Sequence, residues 1–263
     1  MAPGSTSGAT EQPLRTAGSS AAAVEATLND GKHHLLLAAS GSVATIKLPL
    51  IVSSFAKYPD VSIRIILTRS ASQFLAGQSD EQPALTSLAA LPNVEGIHQD
   101  EDEWAEPWTR GAKILHIALR RWAHILVVAP LSANTLAKTA NGISDNLLTS
   151  VIRAWDTTGL IDGKEARILV APAMNTAMYA HPITAKQIRV LEDEWGVKEG
   201  DPEGRLEPKE TAEGDNAIAP HRGWFEVLRP IEKSLACGDV GSGAMMEWTE
   251  IVKIVKERLG LPS

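Results

Sequence analysis

Four short apolar runs, each closing on a turn of small or hydroxyl-bearing residues, constrain this chain more than any other feature. Leu35-Leu36-Leu37-Ala38-Ala39 ends at Ser40-Gly41-Ser42 and leads into a helical spacing of Ile46, Leu50 and Phe55. Ile63 to Leu67 ends at Thr68-Arg69-Ser70. Ile125 to Ala129 and Ile168 to Ala171 close on Pro130 and Pro172, and residues able to cap a helix follow each. A strand buried on both faces reads as continuous apolar sequence, as these runs do. Strands alternating with helical stretches imply βαβ crossovers. The expected fold class is therefore α/β: a doubly wound, mostly parallel, Rossmann-like or flavodoxin-like sheet of about six strands in a single domain. Ligands of such sheets sit beyond the carboxyl ends of the strands, where the strand order reverses.

The 263 residues are 44% hydrophobic and 22% charged, enough apolar material for one sizeable core. A formal charge of −7 argues against the broad basic surface that nucleic-acid backbones require. No run is apolar for long enough to cross a bilayer, so no membrane partner is expected. The lone Cys237 rules out an internal disulfide and any multi-cysteine metal cluster. It fits a reducing compartment, and the cytoplasm is the expected location. Residues 1–30, rich in Gly, Ala, Ser and Thr, read as a disordered tail, leaving 31–263 as the folded domain. Three further stretches read as peripheral. Gln99 to Glu106 is an acidic run suited to a solvated connection, and Trp195 to Arg222 reads as a mobile insertion. Trp248 to Leu259 has the apolar spacing of an amphipathic helix docked on the body.

Each polar turn falls after a strand: Gly41-Ser42-Val43, Ser70, and Ser132-Ala133-Asn134-Thr135. Small residues there let backbone N–H groups approach an anion, which suits a phosphate-bearing cofactor; the same residues also cap helices for purely structural reasons. No Gly-x-Gly-x-x-Gly fingerprint is present, which favours a mononucleotide over a dinucleotide. His116, with apolar neighbours on an expected helix, suits either a satisfied core histidine or a functional one. Cys237 lies in the small-residue turn Ala236-Cys237-Gly238-Asp239 and suits packing or chemistry. Asn175 follows a strand, where it forms a turn or holds a ligand.

Four segments together carry a resemblance. They are Ala38 to Ala44, Leu119 to Leu148 with Ala129-Pro130-Leu131-Ser132-Ala133-Asn134-Thr135, Pro172-Ala173-Met174-Asn175-Thr176-Ala177-Met178, and Leu235 to Met245. In combination they resemble the flavin-dependent cysteine decarboxylase family, and within it eukaryotic members of coenzyme A biosynthesis and the related fungal halotolerance proteins. The resemblance implies that flavin mononucleotide (FMN) is held by Gly41, Ser42, Val43, Ser70, Ser132, Ala133, Asn134 and Thr135, with Ala173 against the flavin and Arg121 near it. It implies Asn175 as the substrate-carboxylate ligand, with Ala236 and Met178 also at the substrate. His116 is implied as catalytic base and Cys237 as proton donor on a substrate flap. A homotrimer with sites between subunits, possibly mixed with paralogues, is implied as well.

The chemistry so implied is decarboxylation of a small cysteine-derived thiol. Direct loss of carbon dioxide from a cysteine carboxylate leaves an unstabilised carbanion. Oxidation at the carbon bearing sulfur gives a thioaldehyde whose thiocarbonyl accepts those electrons as an enethiolate, and the cofactor supplies that step. Two other readings stand beside it: a regulatory protein of the halotolerance type that inhibits a phosphatase, and a flavoenzyme acting on another cysteine-containing substrate. The chain departs from the family pattern at His124, Tyr179 and Ser234.

Overall fold

The computed structural model describes residues 20–105, 107–198, 223–234 and 240–262. Ten strands occur among them: β1 (His33–Ala39), β2 (Val61–Leu67), β3 (Ala76–Ser79), β4 (Gln82–Ala84), β5 (Val94–His98), β6 (Ile125–Leu131), β7 (Arg167–Pro172), β8 (Phe225–Val227), β9 (Ile231–Ser234) and β10 (Val240–Ala244). Six of these form one sheet in the order β5-β2-β1-β6-β7-β8, and every neighbouring pair in it is parallel. Counting only these six, the order is 3-2-1-4-5-6, the dinucleotide-fold order, with its reversal between β1 and β6. β3 and β4 pair as a small antiparallel ribbon, and so do β9 and β10.

The continuous apolar runs are explained by a core on each face of the sheet. Leu35, Leu37 and Ala39 of β1 pack on one side with Leu48, Ile51 and Val52 of the helix Leu48–Ser53 and with Ile251 and Val255 of the C-terminal helix Trp248–Arg258. Leu36 and Ala38 face the other side, against Leu119 and Trp122 of the helix Leu115–Trp122 and Leu148 and Val151 of the helix Leu147–Arg153. Both faces of β1 are therefore removed from water, which a strand achieves only between two helical layers. The amphipathic C-terminal helix docks as its spacing suggests.

Two boundaries differ from the sequence expectation. The stretch read as a tail contains a helix, Ala21–Ala26, capped by the Ser20 side chain and burying Val24 completely. Glu25 of that helix pairs with Lys113 and Arg121, and the buried Arg64 donates to Ala23 O and Thr27 Oγ1. One apolar anchor and several polar ties hold a segment whose average composition argues for disorder; residues 1–19 lie outside the described residues. The stretch beginning at Trp195 also starts inside the body. Trp195 stacks on Trp224 at 5.7 Å and on Phe225 at 6.0 Å, and Val197 N–H donates to Phe225 O. The remainder of that expected insertion, 199–222, lies outside the described residues.

The amino end of the sheet carries a stack of rings. His34 lies between Trp122 at 4.3 Å and His124 at 4.8 Å, its Nε2 is 2.8 Å from Asp30 Oδ1, and its backbone N–H donates to His124 Nδ1. Arg64 lies over the Trp122 ring at 5.2 Å. Burial, reinforced by the Lys164 ammonium and by His34, pushes His124 down to about 4. A histidine whose folded pKa lies below its unfolded value near 6.5 contributes stability that is complete above pH 6.5 and is lost as the pH falls toward 4. The exposed edge of the ring admits solvent screening, so the loss is about 1 kcal/mol. Urea unfolding at pH 7 and pH 5 is expected to show this drop in the wild type and a flatter dependence in His124→Gln.

Candidate functional site

The turns that follow β1, β2 and β6 meet beyond the carboxyl ends of these strands. Ser40, fully buried, ties two of them: its Oγ donates to Pro130 O at 3.1 Å and accepts from Ser132 N–H at 2.8 Å. Thr68 N–H donates to Ala39 O, bringing in the third. Gly41 then lies so close to Ser70 that a Cβ there would stand 2.5 Å from Ser70 Oγ and 2.7 Å from its Cβ. Only glycine permits that approach. Ser42 precedes a short 3-10 turn, Val43–Lys47, at which Val43 is exposed. Ser132 caps the helix Ala133–Ala140 by accepting from Thr135 N–H at 3.3 Å, and its hydroxyl also bonds Thr135 Oγ1.

The turns after β2 and β6 border a cleft of about 570 Å³ whose walls include Thr68, Asp100, Asn134, Thr135, Lys138 and the Ser70 that Gly41 abuts. That size suits a nucleotide-like ligand. Hydroxyls, an amide and the cations Arg69 and Lys138 supply donors, although Lys138 already pairs with Asp145 at 2.8 Å. Burial raises the Asp100 carboxyl above the ordinary range, Glu101 and Asp145 add to the effect, and N–H donors from Leu147 and Arg69 hold it back.

Ala173 follows β7 with its N–H on Leu131 O, and Asn175 two residues later caps the helix Thr176–Ala180 by accepting from Met178 N–H at 2.8 Å. The Asn175 carbonyl oxygen is thus engaged, and its NH2 group is the end it can offer a ligand. Against this turn lies β10. Met174 N–H donates to Gly243 O, a Cβ on Gly243 would meet Met174 O at 2.6 Å, and one on Gly241 would meet Thr176 Oγ1 at 2.7 Å. Ser234 of β9 pairs with Val240 of β10, so the segment 235–239, with Ala236 and Cys237, joins strands one of which is packed on Asn175. Ala236 and Cys237 themselves lie outside the described residues.

His116 occupies the first turn of the helix Leu115–Trp122, as the sequence suggested. The acidic run set aside as a solvated connection proves to be its neighbour, which corrects that expectation. Residues Asp100–Glu103 form a short helix in which Asp100 accepts from Leu147 N–H at 3.0 Å and Glu103 reaches His116, with Oε1 3.0 Å from Nδ1. Glu103's side chain is only 6% exposed. A partner 13 residues away becomes visible only once the chain has folded. Arg121 is not brought to the cleft of its own chain. It ends the same helix at the amino end of the sheet, about 7.5 Å along the axis from His116, and pairs with Glu25.

The sequence profile of the family described as Flavoprotein matches residues 23–260. The chain belongs to the flavoprotein family. This flavoprotein is 39% identical over 234 residues to phosphopantothenoylcysteine decarboxylase of Arabidopsis thaliana, covering 89% of the chain and 88% of that protein. It is 39% identical over 241 residues to coenzyme A biosynthesis protein 3 of Saccharomyces cerevisiae, covering 88% of the chain and 34% of that protein. Among solved structures it is similar to the FMN binding protein AtHal3, with a TM-score of 0.61, 39% identity, and 86% and 96% of the two chains covered. The chain spans about a third of the length of the first curated relatives it matches. The resemblance read from the four motifs thus stands at the level of the family. Because β10 of this flavoprotein touches the Asn175 turn at a glycine with φ +153°, Gly243→Ala is expected to lower the unfolding free energy by about 1–3 kcal/mol in urea denaturation.

Proposed function

We propose that this flavoprotein is an FMN-dependent carboxy-lyase that converts 4′-phosphopantothenoylcysteine to 4′-phosphopantetheine in coenzyme A biosynthesis. The observation that carries the reading is the meeting of three things at one end of the sheet. They are a cleft walled by the turns after β2 and β6, His116 linked to it through the short helix that carries Asp100 and Glu103, and an Asn175 turn held against the hairpin whose connecting segment contains Cys237. The relatives named as this decarboxylase and as a coenzyme A biosynthesis protein support it.

The cradle made by Gly41 against Ser70 and the hydroxyl and amide donors around it fit FMN. Gly41, Ser42, Val43, Ser70, Ser132, Ala133, Asn134 and Thr135 would hold it, with Ala173 alongside. Bound there, the flavin supplies a reversible two-electron sink. Asn175 Nδ2 orients the substrate carboxylate, with Met178 and Ala236 beside the substrate. His116 takes up a proton, and Cys237 Sγ donates one to the enethiolate left when carbon dioxide departs. The active assembly is a homotrimer with sites between subunits, in the cytoplasm. Trp104, which follows Glu103 and is 66% exposed, Trp108, 55% exposed, and Met178, 52% exposed at the Asn175 turn, are large apolar groups of the kind that association covers. The position of Arg121, away from its own cleft, is consistent with service to a neighbouring subunit. No helix among the described residues is long and apolar enough to cross a membrane.

The deciding experiment incubates the purified chain with phosphopantothenoylcysteine and follows product by mass spectrometry, with the visible spectrum recorded beforehand. A bound-flavin spectrum and carbon dioxide loss are expected, and Cys237→Ser is expected to slow turnover by about 10²-fold or more. Turnover unchanged in Cys237→Ser sinks the proton-donor role, and absence of flavin sinks the cleft assignment. Gly41→Ala is expected to weaken FMN binding to the apoprotein by about 1–3 kcal/mol in a fluorescence titration, since the new methyl displaces Ser70.

A further inference from the structure

We propose that Glu103 is a positioning residue for His116, fixing the imidazole with its proton on Nδ1 and leaving Nε2 as the basic atom. The inference rests on the reading of His116 as a base. Glu103 Oε1 stands 3.0 Å from His116 Nδ1, and Oε2 accepts from the His116 backbone N–H at 3.2 Å. An ionised carboxylate offers only lone pairs, so Nδ1 must carry the hydrogen between them. In a neutral imidazole the other nitrogen is then an acceptor. Nε2 makes no hydrogen bond among the described residues.

The second contact is what makes the arrangement rigid. The His116 N–H lies in the first turn of its helix, where backbone donors lack a partner four residues back. A carboxylate at that place also faces the positive end of the helix dipole. Glu103 is therefore anchored to main chain by one oxygen and presents the other to the ring, so it cannot follow a swinging imidazole. Its own short helix is fixed in turn. Asp102 accepts from Gln99 N–H at 2.8 Å, Gln99 Nε2 donates to Ser72 Oγ, and Asp100 receives Leu147 N–H. A carboxylate behind a histidine, itself held by a further shell, selects the tautomer and the ring orientation that a proton acceptor needs. A purely structural cap would engage the backbone N–H alone and leave the ring indifferent.

The test uses the full chain, labelled with ¹⁵N at histidine and loaded with FMN. Long-range ¹⁵N–¹H spectra report which ring nitrogen is protonated, and His116 is assigned by the signal lost in His116→Asn. The wild-type ring is expected as the Nδ1–H tautomer, and Glu103→Gln is expected to let it exchange between tautomers. The same variant should lose kcat for phosphopantothenoylcysteine on the order of 10–100-fold, with KM and the flavin spectrum unchanged. A wild-type ring protonated on Nε2 overturns the proposal, even if Glu103→Gln fails to fold. So does Glu103→Gln with unaltered tautomer and turnover while His116→Asn is inactive, an outcome that leaves the base reading intact. Full turnover in His116→Asn sinks the base reading instead, and the wild-type spectrum then decides the tautomer by itself.

Discussion

The hydroxyl of Ser40 is the constraint on which the site depends. At the reversal of strand order, β1 and β6 send their chains to opposite sides of the sheet, and the bond from Ser40 N–H to Pro130 O is the last main-chain tie between them before a gap opens. Ser40 closes it by giving its hydrogen to Pro130 O and taking one from Ser132 N–H. A buried hydroxyl with both roles filled is worth keeping, because removing it would leave the Ser132 N–H without its partner away from water, whereas Pro130 O would keep the Ser40 N–H. Gly41, which abuts Ser70, and Ser132, which caps the helix carrying Thr135, are thereby tied together, and Ser70 and Thr135 are walls of the cleft.

The two ends of the sheet follow opposite logics. At the carboxyl end the side chains are small and polar, so backbone can approach a ligand. At the amino end they are large, aromatic and charged: His34, Trp122, His124, Arg64 and Asp30 fill space and satisfy one another. Burial works against the charge on Asp30, but hydrogen bonds from Lys32 N–H and the His34 ring outweigh it and hold that carboxyl below its usual range. The N-terminal helix is recruited through these groups rather than through a broad apolar face.

How much was legible in the sequence divides along physical lines. The four central strands were readable because burial on two faces forces apolar residues at every position. β5 and β8 were not, because edge strands meet a neighbour on one side only: Val94 and Glu95 stay partly exposed, and β8 is three residues long. The capping turns around Gly41, Ser70 and Ser132 were visible as residue types, and the fold supplied their convergence. Asn175 joins both of its readings, since one end of its amide makes the turn while the other remains available. The helix Ala21–Ala26 and the ring of Trp195 were hidden by averaging, because single anchors vanish in the composition of a long polar stretch. Glu103 was hidden more deeply. An acid within Asp100-Glu101-Asp102-Glu103 looks like any solvated charge until tertiary structure buries that one side chain against an imidazole.

The run Asp100–Glu103 is a ruler as much as a helix. Residues three apart share a face of a helical turn. Asp100, at the cleft and the start of one helix, and Glu103, at His116, are therefore set by one rigid spacing. Adding or deleting a single residue between them would turn Glu103 about 100° around the axis and swing its carboxylate away from the ring, with the charge of the segment nearly unaltered. What this stretch encodes is a distance and a phase, so exchanges of one acid for another at its exposed positions are tolerable where a change of length is not.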